Sequence, residues 1–205
     1  MKLYWSSRSP FVRKVMVCAH EAGLAGRINC ERTIVSAAQP NLEVMAANPL
    51  GKLPTLILDD GSALYDSRVI CEYFDTLQDR IRLFPAGGDV RITALRRQAL
   101  ADGLLDTLVA WMGERTRPPE QQSAAHLDGY RLKLRAALEC LEAEAEKLGT
   151  GGFDIGHIAI GTALSYTDFR FPAEHWRDGH PGLARWHATF ALRDSVTATE
   201  HADVY

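Results

Sequence analysis

Two serines stand where a hydroxyl can meet an anion. Ser9 precedes Pro10 and an apolar series, Val12, Val15, Met16, Ala19 and Ala22, that Gly23 ends. This is the arrangement of a helix N-cap with proline in the first turn. A hydroxyl at that place suits a thiolate, because a donor and the helix terminus both favour the ionised form of a thiol whose ordinary pKa is about 8.5. The plainer reading of Ser9 is a simple cap. Ser67 follows Asp66 and leads into Val69, Ile70, Tyr73, Phe74 and Leu77 at helical spacing. A free hydroxyl and backbone N–H groups at a helix start can take a carboxylate, and Asp66 beside them can hold an ammonium.

The elements that position these groups are legible around Asn48-Pro49-Leu50-Gly51-Lys52-Leu53-Pro54 and the apolar run Thr55 to Leu58. Proline has no N–H for a ladder, so Pro54 belongs at the first position of a strand, with the bond before it a candidate for the cis form. Leu53 is then left with an unpaired backbone, able to accept an extended peptide by strand addition. Asp59-Asp60-Gly61 is a hairpin turn, returning the chain as Ala63 to Tyr65. Together these features suit a small peptide carrying both charges of an amino-acid end.

Upstream, Lys2 to Trp5 and Arg27 to Val35 alternate as strands, parallel through the intervening helix. A short irregular helix is expected around Leu42 to Met45. The result is a four-stranded α/β unit ending near Leu77. Gln78 to Asp89, with Leu83-Phe84-Pro85 and Gly87-Gly88, reads as a linker whose apolar residues dock between domains. Beyond it the period is helical: Ile92 to Met112, stopped by Pro118-Pro119, then Leu127 to Leu148, closed by Gly149 to Gly152. These two helices are expected to form an antiparallel pair. Asp154 caps a central buried helix, Ile155 to Phe169, with Phe153 and Ile158 as its hydrophobic staple. His157 stands where a capping box wants an acid, which predicts a weakened box.

Composition removes several function classes. With 46% apolar and 24% charged residues the chain is an ordinary globular one, and its net charge of −3 argues against a broad surface for nucleic acid or anionic membrane. No apolar stretch is long enough for a signal peptide or a span, so a cytoplasmic place is expected. Cys18, Cys30, Cys71 and Cys140 have no Cys-x-x-Cys spacing and read as reduced, mostly buried thiols. The seven histidines form no His-x-x-x-His pair, so no metal is expected, and Gly87-Gly88 lacks the Lys of a phosphate loop.

Asn-Pro-Leu-Gly-Lys-Leu-Pro, the two-strand turn and Asp-Ser before a helix resemble the glutathione-binding half of cytosolic glutathione S-transferases. The strand and helix order is that of glutaredoxin-like domains. Pro181 to His187, with Arg193 and Ser195, resembles the last helix and tail of bacterial members. The resemblance implies a thioredoxin-like N-terminal domain (1–78), a linker (79–90) and an all-α C-terminal helical domain (91–205). It implies a transferase with glutathione as co-substrate and no metal, a homodimer active in detoxification. Ser9, in the place where some classes carry cysteine, or else Ser7, is implied to activate the thiol. Lys52, Leu53, Pro54, Asp66 and Ser67 are implied to bind glutathione, with Lys52 on its glycine carboxylate. Asp102 and Asp106 are surface charges or, in a dimer, acids reaching the partner's glutathione.

Phe11, Trp111 and Arg115, with Tyr4, Trp5, Met112 and Phe169, are the candidate lining for an apolar electrophile, although most of them also suit a core. A glutathione-dependent isomerase or dehalogenase on the same scaffold is the nearest alternative. A non-catalytic interaction protein, like the transferase-related stringent-starvation proteins that bind RNA polymerase, is the second. Serine in place of cysteine leaves mixed-disulfide chemistry without a nucleophile.

Overall fold

The computed structural model describes residues 1–36, 38–78 and 83–203. The chain forms two compact units, one of Met1–Ala86 with the residues from Asp194 on, the other Gly87–Arg193. The expected linker, 79–90, begins with 79–82, outside the described residues. Its later part is firmly built: Leu83 and Phe84 are buried, and the Leu83 N–H donates to Asp75 Oδ1 at 2.7 Å. Helix starts at Gly88, inside the expected linker.

The first unit carries a four-stranded sheet of order β2-β1-β3-β4, built from β1 (Lys2–Trp5), β2 (Asn29–Arg32), β3 (Thr55–Ile57) and β4 (Ala63–Leu64). β1 and β2 are parallel, and the other neighbours are antiparallel. The expected parallel first pair and antiparallel last pair therefore stand, in shorter segments. α1 (Pro10–Glu21) and α3 (Ser67–Thr76) pack together, and α2 (Leu42–Ala47) precedes β3. Their buried faces hold Val12, Val15, Cys18, Ile70, Cys71 and Phe74, with Leu3 and Leu56 from the sheet. The valines and Ile70 are apolar at the 3- and 4-residue spacing of a helix face, and this periodicity drives the packing. All four cysteines are free, but only Cys18 and Cys71 are buried; Cys30 and Cys140 are exposed.

The last short helix, α9 (Asp194–Thr197), belongs to this unit and not to the helical half where the sequence assigns the tail. Two polar contacts on α1 draw it there. Arg13 donates to the Val196 carbonyl at 3.3 Å, and Ser195 donates to Glu21. Burial of the Arg13 guanidinium lowers its pKa to about 10, partly opposed by Glu200.

The second unit is helical: α4 (Gly88–Arg115), α5 (Ala124–Glu142), α6 (Ala145–Thr150), α7 (Ile155–Arg170) and α8 (Pro181–Ala191). α4 and α7 form its centre, and glycine permits their approach. A Cβ on Gly156 would lie 2.8 Å from Arg97 Cβ and 2.9 Å from the Ala94 carbonyl oxygen. The single helix expected from Leu127 to Leu148 is instead two, α5 and α6, separated at Ala143-Glu144. Neither residue is a helix breaker. Tertiary partners act at the break: Glu144 meets Arg96 and, at 2.9 Å, Arg97.

The α7 cap also differs from expectation. His157 Nδ1 lies 3.2 Å from the Asp154 N–H and 2.7 Å from Asp154 Oδ1. With Nδ1 bare the ring accepts the N–H; with Nδ1 protonated it donates to the carboxylate. In both tautomers histidine joins the cap, so its presence does not leave the box open. Asp102, expected on a helix surface, is buried, whereas Asp106 is exposed.

Candidate functional site

Three chain segments leave the same end of the sheet. Tyr4 faces Thr55, and Leu56 faces Leu64; continuing both registers sets Pro54 between Trp5 and Asp66. The turn after β1, the Leu53-Pro54 segment and the start of α3 therefore lie side by side. Neighbouring strands are about 4.8 Å apart, so the three span about 10 Å, the length of an extended tripeptide at about 3.4 Å per residue.

The central segment is braced from beneath by Asn48, which is 2% exposed. Its Nδ2 donates to Thr55 Oγ1 at 3.0 Å and to the Lys52 carbonyl at 3.3 Å, while Oδ1 accepts the Leu50 N–H at 3.1 Å. Thr55 Oγ1 adds a 2.8 Å bond to the same carbonyl. Gly51 turns the loop at φ 59°, in the left-handed region. The Leu53–Pro54 bond is cis, and the backbone N–H and C=O of Leu53 have no partner among the described residues. Lys52 is exposed and makes no ion pair among them.

On one flank, Ser9 caps α1. Its Oγ accepts the Val12 N–H at 3.3 Å, and its own proton has no acceptor among the described residues. Pro10 has no N–H, which leaves that of Phe11 as the open amide of the first turn. Ser7 is placed differently: its Oγ donates to the Ala202 carbonyl at 2.8 Å, and its own carbonyl oxygen lies 3.2 Å from His201 Nδ1. Arg8 pairs with Asp203 at 2.9 Å. The tail thus holds the Ser7-Arg8 turn. The unpatterned segment His201-Ala202-Asp203 carries no local signal of this role.

On the other flank, Asp66 caps α3 through Oδ1, which accepts the Arg68 N–H at 2.9 Å, and it stays exposed. Ser67 is 2% exposed, and neither its hydroxyl nor its N–H makes a bond among the described residues. Two donors at the positive end of a ten-residue helix beside a carboxylate suit a zwitterionic amino-acid end. The Cys18 thiol donates to the Cys71 carbonyl, and the Cys71 thiol together with burial pushes its pKa well up. Burial also raises that of Cys30. Neither thiol is set up as a thiolate nucleophile.

The candidate electrophile residues divide between the units. Phe11 is half-buried on α1. Trp111 is 1% exposed, its ring 4.5 Å from Phe171 and 6.3 Å from Tyr130, so it is a core residue of the helical unit with little face for a ligand. Arg115 is exposed, donating to the Arg170 carbonyl at 3.1 Å with its guanidinium 5.1 Å over Phe171. Among the described residues no group of three His, Cys, Asp or Glu could hold a metal, and no helix is long and apolar enough to cross a membrane.

Comparison with known proteins gives the same picture from the whole chain. Residues 8–77 match the family described as glutathione S-transferase, N-terminal domain, and residues 124–189 its C-terminal domain. The chain is 31% identical to the uncharacterized GST-like protein YibF of Escherichia coli (strain K12), covering 98% of both. A crystal structure of a glutathione transferase family member from Pseudomonas fluorescens Pf-5 with bound glutathione superimposes with a TM-score of 0.95, at 42% identity over 98% of each chain. A glutathione S-transferase from Methylobacillus flagellatus KT with glutathione bound gives 0.88, at 37% identity over 98% of this chain and 99% of the other. A thioredoxin-like unit, a helical unit and relatives matched over 98% of the chain agree: this chain belongs to the glutathione S-transferase family.

Proposed function

We propose that the protein is a serine-type glutathione transferase that activates the thiol of glutathione for attack on an apolar electrophile. The observation that carries this reading is the polarity of Ser9: its oxygen accepts the Val12 N–H, while its proton has no acceptor among the described residues and is left to donate. Glutathione lies extended beside Leu53, making strand-like bonds to the unpaired backbone. Its γ-glutamyl carboxylate meets the Ser67 N–H and hydroxyl and its ammonium meets Asp66. Its glycine carboxylate meets Lys52, and its sulfur lies at Ser9. Two relatives that contain glutathione at 37 and 42% identity support this ligand.

A charge-assisted hydrogen bond contributes roughly 1.5–3 kcal/mol and a helix terminus roughly 0.3–1 kcal/mol. At about 1.4 kcal/mol per pKa unit, the two lower a thiol from about 8.5 to roughly 6–7. The thiol proton leaves to solvent. The thiolate sulfur then forms a C–S bond with the electrophilic carbon, whose leaving group departs with the bond electrons. Ser9 is a donor throughout and is not consumed. A cytoplasmic homodimer is the state in which we expect this chemistry.

The test is calorimetric titration with glutathione, combined with the ultraviolet absorbance of the bound thiolate, on wild type, Ser67→Ala and Ser9→Ala. Binding that weakens in Ser67→Ala, with thiolate lost in Ser9→Ala at retained binding, is the expected result. A wild type that binds no glutathione overturns the reading.

A further inference from the structure

The turn that delivers Ser9 is held locally on one side only. Ser6 to Ser9 form a β-turn in which the Ser9 N–H donates to the Ser6 carbonyl at 3.2 Å. The central peptide of that turn joins Ser7 to Arg8, and neither of its own groups takes part in the closing bond. Its N–H, from Arg8, donates to Ser6 Oγ at 3.3 Å, within the turn itself. Its carbonyl, from Ser7, finds its donors 194 and 195 positions away, at His201 Nδ1 (3.2 Å) and at the Ala202 N–H (3.4 Å).

Ser9 needs that support. Its cap bond to the Val12 N–H is 3.3 Å long, beyond the usual range of about 2.7–3.2 Å, so the helix alone fixes the hydroxyl weakly. The direction of Oγ follows the backbone of Ser9, and any rocking of the Ser7–Arg8 peptide reaches that backbone through Arg8. A donor swung off line weakens steeply. The tail, for its part, is anchored on the helix that Ser9 caps: Arg13 donates to the Val196 carbonyl at 3.3 Å and Ser195 donates to Glu21. Helix, tail and turn are thus tied into one ring of bonds inside a single unit.

The contacts of the tail differ in worth. Asp203 pairs with Arg8 at 2.9 Å, but the two side chains are 52% and 37% exposed, and an exposed pair contributes about 0–1 kcal/mol. The Ser7 hydroxyl, donating to the Ala202 carbonyl, holds the tail down while leaving the Ser7 carbonyl to its own donors. His201 is half-buried and supplies the side-chain donor to that carbonyl.

We propose that His201 is a positioning residue for thiol activation: its bond to the Ser7 carbonyl holds the turn after β1 so that the Ser9 hydroxyl stays aimed at the glutathione sulfur. Nδ1 carries the proton, because a carbonyl oxygen only accepts. The histidine acts through the backbone and touches neither substrate. This inference rests on Ser9 as the thiolate donor.

The test compares full-length wild type with His201→Leu, which removes the donor, with His201→Asn, whose amide nitrogen reaches about as far as Nδ1, and with Asp203→Asn. The pKa of bound glutathione is read from thiolate absorbance against pH, and kcat and KM are measured with a chlorodinitrobenzene electrophile at a pH below that pKa. In His201→Leu the pKa rises by about 0.5–1 unit and kcat falls about three- to tenfold with it, while KM for glutathione stays in place. His201→Asn restores most of both, and Asp203→Asn shifts the pKa less than His201→Leu does. An unchanged pKa in His201→Leu overturns the proposal, and so does a rise that His201→Asn shares in full. If His201→Leu does not fold, His201→Gln replaces it, since its amide nitrogen lies farther out than Nδ1; equal pKa values in the Gln and Asn variants then overturn the proposal. The parent reading fails differently. A wild type whose bound thiol keeps an ordinary pKa of about 8.5 overturns both, whereas a lowered wild-type value that does not respond at position 201 overturns this proposal alone.

Discussion

The Ser7 hydroxyl donates to the carbonyl oxygen of Ala202, 195 positions away in sequence, at 2.8 Å. This bond uses the one proton that Ser7 has to give. Ser9, two residues on, receives a bond at its oxygen instead and keeps its proton. The two candidate hydroxyls are therefore chemically unequal, although the sequence presents them as near equivalents.

Ser9→Ala should lower kcat/KM for glutathione and a chlorodinitrobenzene electrophile about 10- to 100-fold near neutral pH, the scale of one charge-assisted hydrogen bond. The deficit should shrink above about pH 9, where glutathione ionises without help. Ser7→Ala should leave the pH profile in place and loosen the tail, read as faster hydrogen exchange at residues 201–203. A shifted profile in Ser7→Ala with an unshifted one in Ser9→Ala would reverse the assignment.

Asn48→Ala removes three bonds that brace the Lys52-Leu53-Pro54 segment. The buried Thr55 hydroxyl and the part-buried bond of the Leu50 N–H each lose a partner, so a loss of about 1–2 kcal/mol in chemical denaturation of the sheet unit is expected. Glutathione affinity should fall with it, because the unpaired Leu53 backbone is no longer held in place. Unchanged affinity in a folded variant would mean that the loop needs no brace.

Glu144 ties α4 to the α5–α6 break. Burial pushes its carboxyl pKa up, but the hydrogen bonds from Arg97 and Arg96 outweigh this and hold it below the ordinary value. A folded pKa below the unfolded one means that the stabilisation is fully present above about pH 4.3 and is lost as pH falls through the folded value. Glu144→Gln should thus cost about 1–3 kcal/mol at pH 7, as expected for a partly buried network. The difference from wild type should narrow below about pH 4. Urea denaturation followed by circular dichroism at both pH values checks it, and a gap that widens in acid would contradict the sign.

Gly161 allows α8 to approach α7. A Cβ there would lie 2.3 Å from Phe190 Cε1, and Phe190 is itself confined by Phe153, Trp186 and His187. Gly161→Ala should destabilise the helical unit by about 1–3 kcal/mol despite the better helix propensity of alanine. A thermal melt with a Tm equal to or above that of wild type would show that the ring has room to move.

Sequence by itself determined what depends on a few neighbouring residues. Ser9-Pro10 and Asp66-Ser67 as helix starts, the Asp-Asp-Gly hairpin and the candidate cis bond before Pro54 were legible because caps, turns and proline act over about four residues, whereas the pairing of β1 with β3 was not. The resemblance carried by Asn48 to Pro54 and Asp66-Ser67 pointed to the right family. Tertiary structure alone decided the rest. The shared charge of Glu144 with two arginines on another helix, the closure of the α7 cap by a histidine, the burial of Trp111 and Asp102, and the return of the tail onto Ser7 leave no periodic trace. Apart from the His157 cap, which is local but uses a residue type that the ordinary capping box lacks, each depends on groups far apart in the chain, whose worth is set by burial and by which partner reaches them first. The difference between Ser9 and Ser7 is of this kind: a cap is written in the next three residues, but whether a hydroxyl keeps its proton depends on a carbonyl that only folding brings alongside.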